Sequence, residues 1–260
     1  MELVTQKSES LYPTEVIDLP SKGLFYAEGS PLRSGQIEIK YMTAKEEDIL
    51  TSTNLIQKGI VLDKLMDSLI VTKGVKSADL LIGDLNAVMV AARILGYGKD
   101  YTTDIVCPVC GDTVEQKVDL TQLKTENEPT EGTKKEFTIT LPVSKAEVTL
   151  KLLTRGDELN IDKEVKALKK ANADIESDTT ARLRAMIAAV NGDTSKTKIW
   201  TFVENMLVRD SRFIRDEYRK HVPDVDFKIP VECGCLNESE KEKSVRLPIG
   251  VNFFWPDARV

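Results

Sequence analysis

Apolar and polar positions alternate over Gln36-Ile-Glu-Ile-Lys-Tyr-Met42, which predicts a half-buried strand. Before it, Val16 to Tyr26 reads as an extended segment punctuated by Pro20 and Gly23. At Thr43 the period changes. Thr43-Ala-Lys-Glu46 has the form of a capping box, in which Thr43 accepts from the Glu46 backbone and the Glu46 side chain reaches back. A helix is therefore expected to about Lys58, with Gly59 as its stop. Leu62, Leu65, Met66, Leu69 and Ile70 recur at i, i+3, i+4, i+7 and i+8 and predict a second helix. Leu85, Val88, Met89, Ala92 and Leu95 predict a third, capped by Asp84 and ended by Gly96. Each carries a single apolar stripe, so the two are expected to pack on each other; a cofactor box is the lesser reading of the same spacing.

Farther along, Thr102 to Val106 and Val114 to Leu120 read as strands, followed by a polar loop from Lys124 to Lys134. Phe137 to Leu141 and Glu147 to Leu153 form an expected hairpin around Pro142 to Ala146. Thr154 opens a helical region, with Asp157 completing a capping-box start and Ile161, Val165 and Leu168 as its stripe; Ala173 to Ser177 breaks the pattern. Leu183, Met186, Ile187 and Val190 predict a helix ended by Gly192, and Ile199, Phe202, Val203, Met206 and Leu207 another. Asp210 is read as the cap of a short basic helix from Ser211 to Lys220 that stops before Pro223. Strands return at Phe227 to Cys233 and Lys243 to Ile249.

The cysteines change this picture most. Cys107-Pro-Val-Cys110-Gly111 sits between two strands, and Cys233-Gly-Cys235 sits between the last two. A CPxCG turn wraps two thiolates around one metal ion, with the glycine permitting the tight turn beneath them. The second pair can complete a closed tetrahedral zinc site, although its C-x-C spacing is tighter than the usual one. The alternatives are a disulfide, strained within C-x-C, a redox CxxC, which belongs at a helix start, and free thiols. A shared zinc gives an α+β fold: a zinc-clasped β-ribbon core with an N-terminal helical segment and a helical insertion. Its expected parts are a flexible N-terminus over 1–15, a strand and helical segment over 16–100, and a zinc-ribbon and hairpin segment over 101–153. The helical insertion covers 154–222, and 223–260 holds the C-terminal ribbon strands and an aromatic tail.

Composition narrows the function. The chain has 260 residues, 41% of them hydrophobic and 30% charged, with no apolar run of membrane-spanning length. The opening MELVTQKSES has neither a basic nor an apolar leader region, so a reducing cytoplasm is expected, where paired cysteines favour metal. A net charge of −6 argues against general nucleic-acid binding and favours protein partners. The single histidine, His221, excludes a multi-histidine metal centre and fits a helix end, where a cationic ring offsets terminal carbonyls. Asn191 to Thr197 lacks the second glycine and the preceding strand of a phosphate loop. The run Arg209 to Arg215 is either a solvated helix entry or a recognition patch, in which Arg212 and Arg215 would face the partner. Phe253, Phe254 and Trp255 cannot all face one side of a strand; either both faces are buried or one face meets a partner, and they are the favoured docking residues.

Several of these segments occur in a characteristic order: Leu19-Pro-Ser-Lys-Gly-Leu-Phe-Tyr26, Gln36 to Thr43 with Glu46-Glu47, Tyr97-Gly-Lys-Asp-Tyr101 and Cys107-Pro-Val-Cys110-Gly. Asp210-Ser-Arg-Phe-Ile-Arg215, Pro223-Asp-Val-Asp226 and Phe253-Phe-Trp-Pro256 follow. Together, over residues 15 to 256, they resemble the baseplate hub assembly proteins of T-even-like contractile-tailed bacteriophages. The resemblance implies a non-enzymatic hub subunit or assembly factor that contacts other baseplate hub or tape-measure proteins, without nucleic acid or membrane. Its place would be the cytoplasm of the infected host cell or the virion tail baseplate. It brings no catalytic residues; its cysteine knuckle maps to Cys107 and Cys110, with Cys233 and Cys235 as the second metal pair. The alternative is a zinc-ribbon adaptor contacting nucleic acid or the transcription machinery, and a hydrolase using acidic residues is the third reading.

Overall fold

In the computed structural model, which describes residues 12–130, 132–171, 178–235 and 243–254, Thr14–Asp18 (β1) pairs antiparallel with Gln36–Lys40 (β2), Val16 opposite Glu38. The alternation of β2 buries Ile37 and Ile39. Ala44–Thr51 (α1) opens at the expected capping box, the Thr43 N–H donating to Glu46 Oε2 at 2.9 Å and its hydroxyl donating to the same oxygen at 2.6 Å. The helix does not run on to Lys58. It breaks at Ser52 and resumes as Thr53–Lys58 (α2), which Gly59 ends in the left-handed conformation at φ +68°. The Thr51 hydroxyl, donating to the Glu47 carbonyl at 3.0 Å, competes for helical acceptors at this point. Val61–Leu69 (α3) buries Leu65, Met66 and Leu69.

Ile82–Tyr97 (α4) is longer than its sequence pattern indicated. It passes through Gly96, where a Cβ would collide with Met42 Cε, and ends at Gly98. Asp84 is not its cap. The carboxylate, fully buried in the first turn, accepts from the Ser21 N–H (2.9 Å), the Ser21 hydroxyl (2.6 Å) and the Tyr26 hydroxyl (2.6 Å). These bonds bind the Leu19 to Tyr26 segment to α4, and burial pushes the Asp84 carboxyl up against their opposing pull.

Asp100–Val106 (β3) and Thr113–Asp119 (β4) form the first ribbon. Thr125–Glu126 (β5) lies in the polar loop and pairs with a short strand described below. Glu136–Thr140 (β6) and Glu147–Lys151 (β7) make the hairpin. Arg155–Ala171 (α5) starts at a reciprocal box, in which the Asp157 N–H donates to Thr154 Oγ1 and the Thr154 N–H donates to Asp157 Oδ2. The expected break at Ala173 to Ser177 lies outside the described residues. Asp178–Met186 (α6) then gives way to Ile187–Val190 (β8), which joins β7 to form a three-stranded sheet. The sequence pattern placed Ile187 and Val190 on a helix; a short apolar run fits both periods, and pairing with the distant β7 decides between them.

Lys196–Glu204 (α7) and Val208–His221 (α8) follow, then Asp224–Val225 (β9), paired with β5, Lys228–Pro230 (β10), Ser244–Arg246 (β11) and the short helix Val251–Phe254 (α9). Asp210 lies within α8 and, buried, accepts from the Val143 N–H at 2.9 Å and the Ser144 N–H at 3.0 Å, so it fastens the hairpin loop and does not cap the helix. One apolar cluster joins β2, α1, α3, α4, the ribbons and α9; a second joins the β6–β7 hairpin, β8 and α5 to α8. Arg155 bridges them, donating through Nε to Asp63 Oδ1 at 2.7 Å and through Nη2 to Oδ2 at 3.0 Å.

Glu46 gives this core an acid dependence. Its carboxylate is fully buried, and although desolvation opposes ionisation, donors on Lys40, Ser68 and Thr43 hold it at about 2, below its ordinary 4.5. A lowered folded-state value contributes stability above the unfolded value that is lost as pH falls from 4.5 through about 2. The contribution is on the order of 3 kcal/mol. Glu46→Gln is therefore expected to melt lower than the parent at pH 7, with the gap closing on acidification through this window. Urea titrations of both proteins at several pH values measure that gap, and a constant gap would refute the assignment.

Candidate metal centre

Each ribbon presents its cysteines at a strand end. The Cys107 N–H donates to the Asp112 carbonyl at 2.8 Å and the Gly111 N–H to the Cys107 carbonyl at 3.0 Å. Gly111 stands at φ +80°, a backbone conformation for which the glycine is needed. The turn brings Cys107 and Cys110 to one side. Cys233 and Cys235 arrive from the chain between β10 and β11, and all four Sγ atoms lie within 4.8 Å of one another. All four cysteines are free; Cys107 Sγ is 3.5 Å from Cys235 Sγ, and Cys110 Sγ is 3.7 Å from Cys233 Sγ. A tetrahedral ion with metal–sulfur bonds of about 2.3 Å sets its ligands about 3.8 Å apart, so this donor set fits a thiolate-bound metal. The compressed C-x-C spacing does not keep its two sulfurs from the cluster.

Charge at the site has the same sense. The backbone N–H groups of Cys110 and Val109 lower the Cys107 thiol to about 7, whereas the neighbouring sulfurs of Cys233 and Cys110 push Cys235 up. Four crowded thiolates repel one another, and a dication at their centre relieves that repulsion. Beneath the cysteines, Ile105, Cys107 and Val231 form a small buried cluster joined by Val114, Cys233 and Val245, so both ribbons share one apolar floor.

Gln116 is the residue that sequence reasoning missed. It is buried on β4, and its Nε2 donates to the Pro230 carbonyl at 2.6 Å while its Oε1 accepts from the Glu232 N–H at 3.1 Å. One side-chain amide thus does the work of a strand pairing between two separate ribbons. Its inward position between Val114 and Val118 was the available signal. Gln116→Leu keeps the volume but removes both bonds, each worth about 0.5–1.5 kcal/mol. The expected result is a lower urea midpoint than that of the parent; an unchanged midpoint would show that the apolar floor and the cysteines join the ribbons without the amide.

The other expected site residues do not gather here. Phe253 and Phe254 are fully buried in the main core, Phe253 packed edge-on against Tyr101 at 5.0 Å and Phe254 at 5.2 Å from Phe253. Of the two readings of these aromatics, burial within the chain is the one seen for Phe253 and Phe254: a short helix turns both rings inward, where a strand would have divided them between faces. Trp255 lies outside the described residues. Arg212 is well exposed on α8, and Arg215, half-buried, donates to the Ser211 carbonyl at 3.4 Å. His221 ends α8, its ring stacked on Phe137 at 4.0 Å between centroids, and is not part of the cysteine cluster. Among the described residues, no helix is long and apolar enough to cross a membrane.

No curated protein and no solved structure gives a significant match to this chain. The sequence profile of one family, described as T4 bacteriophage base plate protein, matches residues 15–255, a span that includes both cysteine pairs, both ribbons and both apolar clusters. The chain belongs to the T4 bacteriophage base plate protein family.

Proposed function

We propose that this baseplate protein is a subunit or an assembly factor of the central hub, non-enzymatic, and stabilised by one structural zinc on Cys107, Cys110, Cys233 and Cys235. The family match over residues 15–255 carries this reading, since it spans the fold and not one motif. A baseplate protein is a structural component of the phage tail and meets other tail proteins there. The finer assignment is that this chain meets hub or tape-measure proteins through its helical segment, where Arg212 and Arg215 stand. Four thiolate ligands would close the coordination sphere of zinc and leave no position for a substrate, which supports a structural ion. The protein would act in the cytoplasm of the infected cell and reach the virion if it stays in the hub.

The test is affinity purification of the tagged protein from infected cells, with co-purifying proteins identified by mass spectrometry and zinc quantified on the same sample. Hub or tape-measure proteins recovered with one zinc per chain are expected. Polymerase subunits or nucleic acid in their place would favour the zinc-ribbon adaptor, and a metal-free chain without partners would overturn the proposal.

A further inference from the structure

The first turn of α8 breaks two ordinary rules at once. Its N-cap is Leu207, which makes no side-chain cap, and Arg209 stands in the turn where the helix dipole disfavours a cation. Three exposed residues there are apolar: Leu207 is 51% exposed, Val208 80% and Val143 39%. Val143 belongs to the hairpin loop, and the bonds from Val143 and Ser144 to buried Asp210 hold that loop against this turn. Val208, Arg212 and Arg215 recur at i, i+4 and i+7, one face of the helix. Arg209 is exposed in the same turn, and Lys145 is exposed in the hairpin loop that Asp210 fastens there. The nearest acid to Arg212 is Asp216 at 3.9 Å, and the only acid of the first turn, Asp210, faces inward and is satisfied by amides.

Leu207 and Val208 stay exposed, so their aliphatic surface contributes little to folding. Unpartnered aliphatic groups surrounded by arginine are, however, the composition of an interface centre and its rim. A rim of arginine and lysine selects for an acidic partner, and two copies meeting face to face through the same rim would repel.

We infer that Val143, Leu207 and Val208, rimmed by Lys145, Arg209 and Arg212, form a docking surface for an acidic segment of another tail protein, with an aliphatic side chain of that segment covering Val208. The inference rests on the proposed partner-binding role and names the surface and the chemistry of its occupant.

A photoreactive p-benzoyl-phenylalanine placed at Val208 in the full chain, irradiated in infected cells, tests it. The comparison probe is the same residue at Val16, which is 55% exposed on β1. The expected product is an adduct at position 208, and not at 16, to a tail-protein peptide rich in Asp and Glu. Combining the probe with Arg209→Glu and Arg212→Glu should lower its yield at least tenfold. A melting curve verifies that each variant stays folded. Adducts to a second copy, a basic peptide or nucleic acid would overturn the inference, as would equal labelling from both positions. If the tagged parent recovers tail proteins but position 208 gives no adduct, this surface is wrong and the partner-binding reading stands; if the parent recovers none, that reading fails first.

Discussion

Replacing Cys107 with serine is expected to abolish zinc binding and to unfold the two ribbons together. Structural zinc in finger peptides is worth about 10–16 kcal/mol at neutral pH, comparable to or greater than the whole stability of an ordinary domain, about 5–15 kcal/mol. Cys107 is also the most enclosed of the four cysteines, 1% exposed, and it packs with Ile105 and Val231 on the floor that both ribbons share. Serine would therefore remove a thiolate and place a hydroxyl in an apolar cluster. Because β3–β4 and β10–β11 are separate sheets, what joins them near the site is this cluster, the Gln116 amide and, on the proposed reading, a metal on the four cysteines. The same result should follow from prolonged chelation of the parent. Zinc content, circular dichroism and sedimentation check it: metal loss with aggregation is expected. A soluble, zinc-replete Cys107→Ser protein that still recovers its partners would refute a structural role for the site.

How much of this was legible beforehand depended on whether the deciding interaction was local. The capping boxes at Thr43 and Thr154 and the CPxCG turn each settle their geometry within four or five residues, and the structure has them where the pattern indicated. Asp84 and Asp210 were misread for a related reason. Each sits at the third position of a helix, where an acid ordinarily serves the helix N-terminus, but each turns to donors far away in sequence, on Ser21 and Tyr26 or on the hairpin loop. The Ile187 to Val190 run has no local feature that separates strand from helix; β7 supplies the difference. Gln116 was invisible because its value lies in reaching the Pro230 to Glu232 backbone, which only the folded chain brings near. The Leu19-Pro-Ser-Lys-Gly opening gained a physical meaning only with Asp84 in place: Ser21 is its polar anchor, and Gly23, at φ +74°, lies so close to the backbone of Leu32 to Gly35 that no side chain fits.

The C-terminal aromatics yield the second large effect. Phe253→Ala should cost about 3–5 kcal/mol, the range for removing a buried phenylalanine, since the ring is fully enclosed between Tyr101 and Phe254. For a chain of this size that lowers the melting temperature on the order of 10 °C. The position is held from two directions. The buried Arg93 guanidinium donates through Nε to the Phe253 carbonyl at 2.8 Å and through Nη1 to the Gly98 carbonyl at 3.0 Å, with the Tyr97 and Tyr101 rings 5.1 and 5.6 Å away. Among the described residues it has no carboxylate partner, so carbonyls and aromatic faces stabilise its charge, and burial lowers its affinity for the proton. Arg93→Met leaves those carbonyls unpaired, and because both changes loosen the same closure, their combined cost should fall short of the sum. Partner recovery, normalised to folded protein, should be unaffected by Phe253→Ala. A variant that melts like the parent yet loses its partners would mean the opposite: that the tail leaves the core to dock, and that the enclosed position is only its resting state.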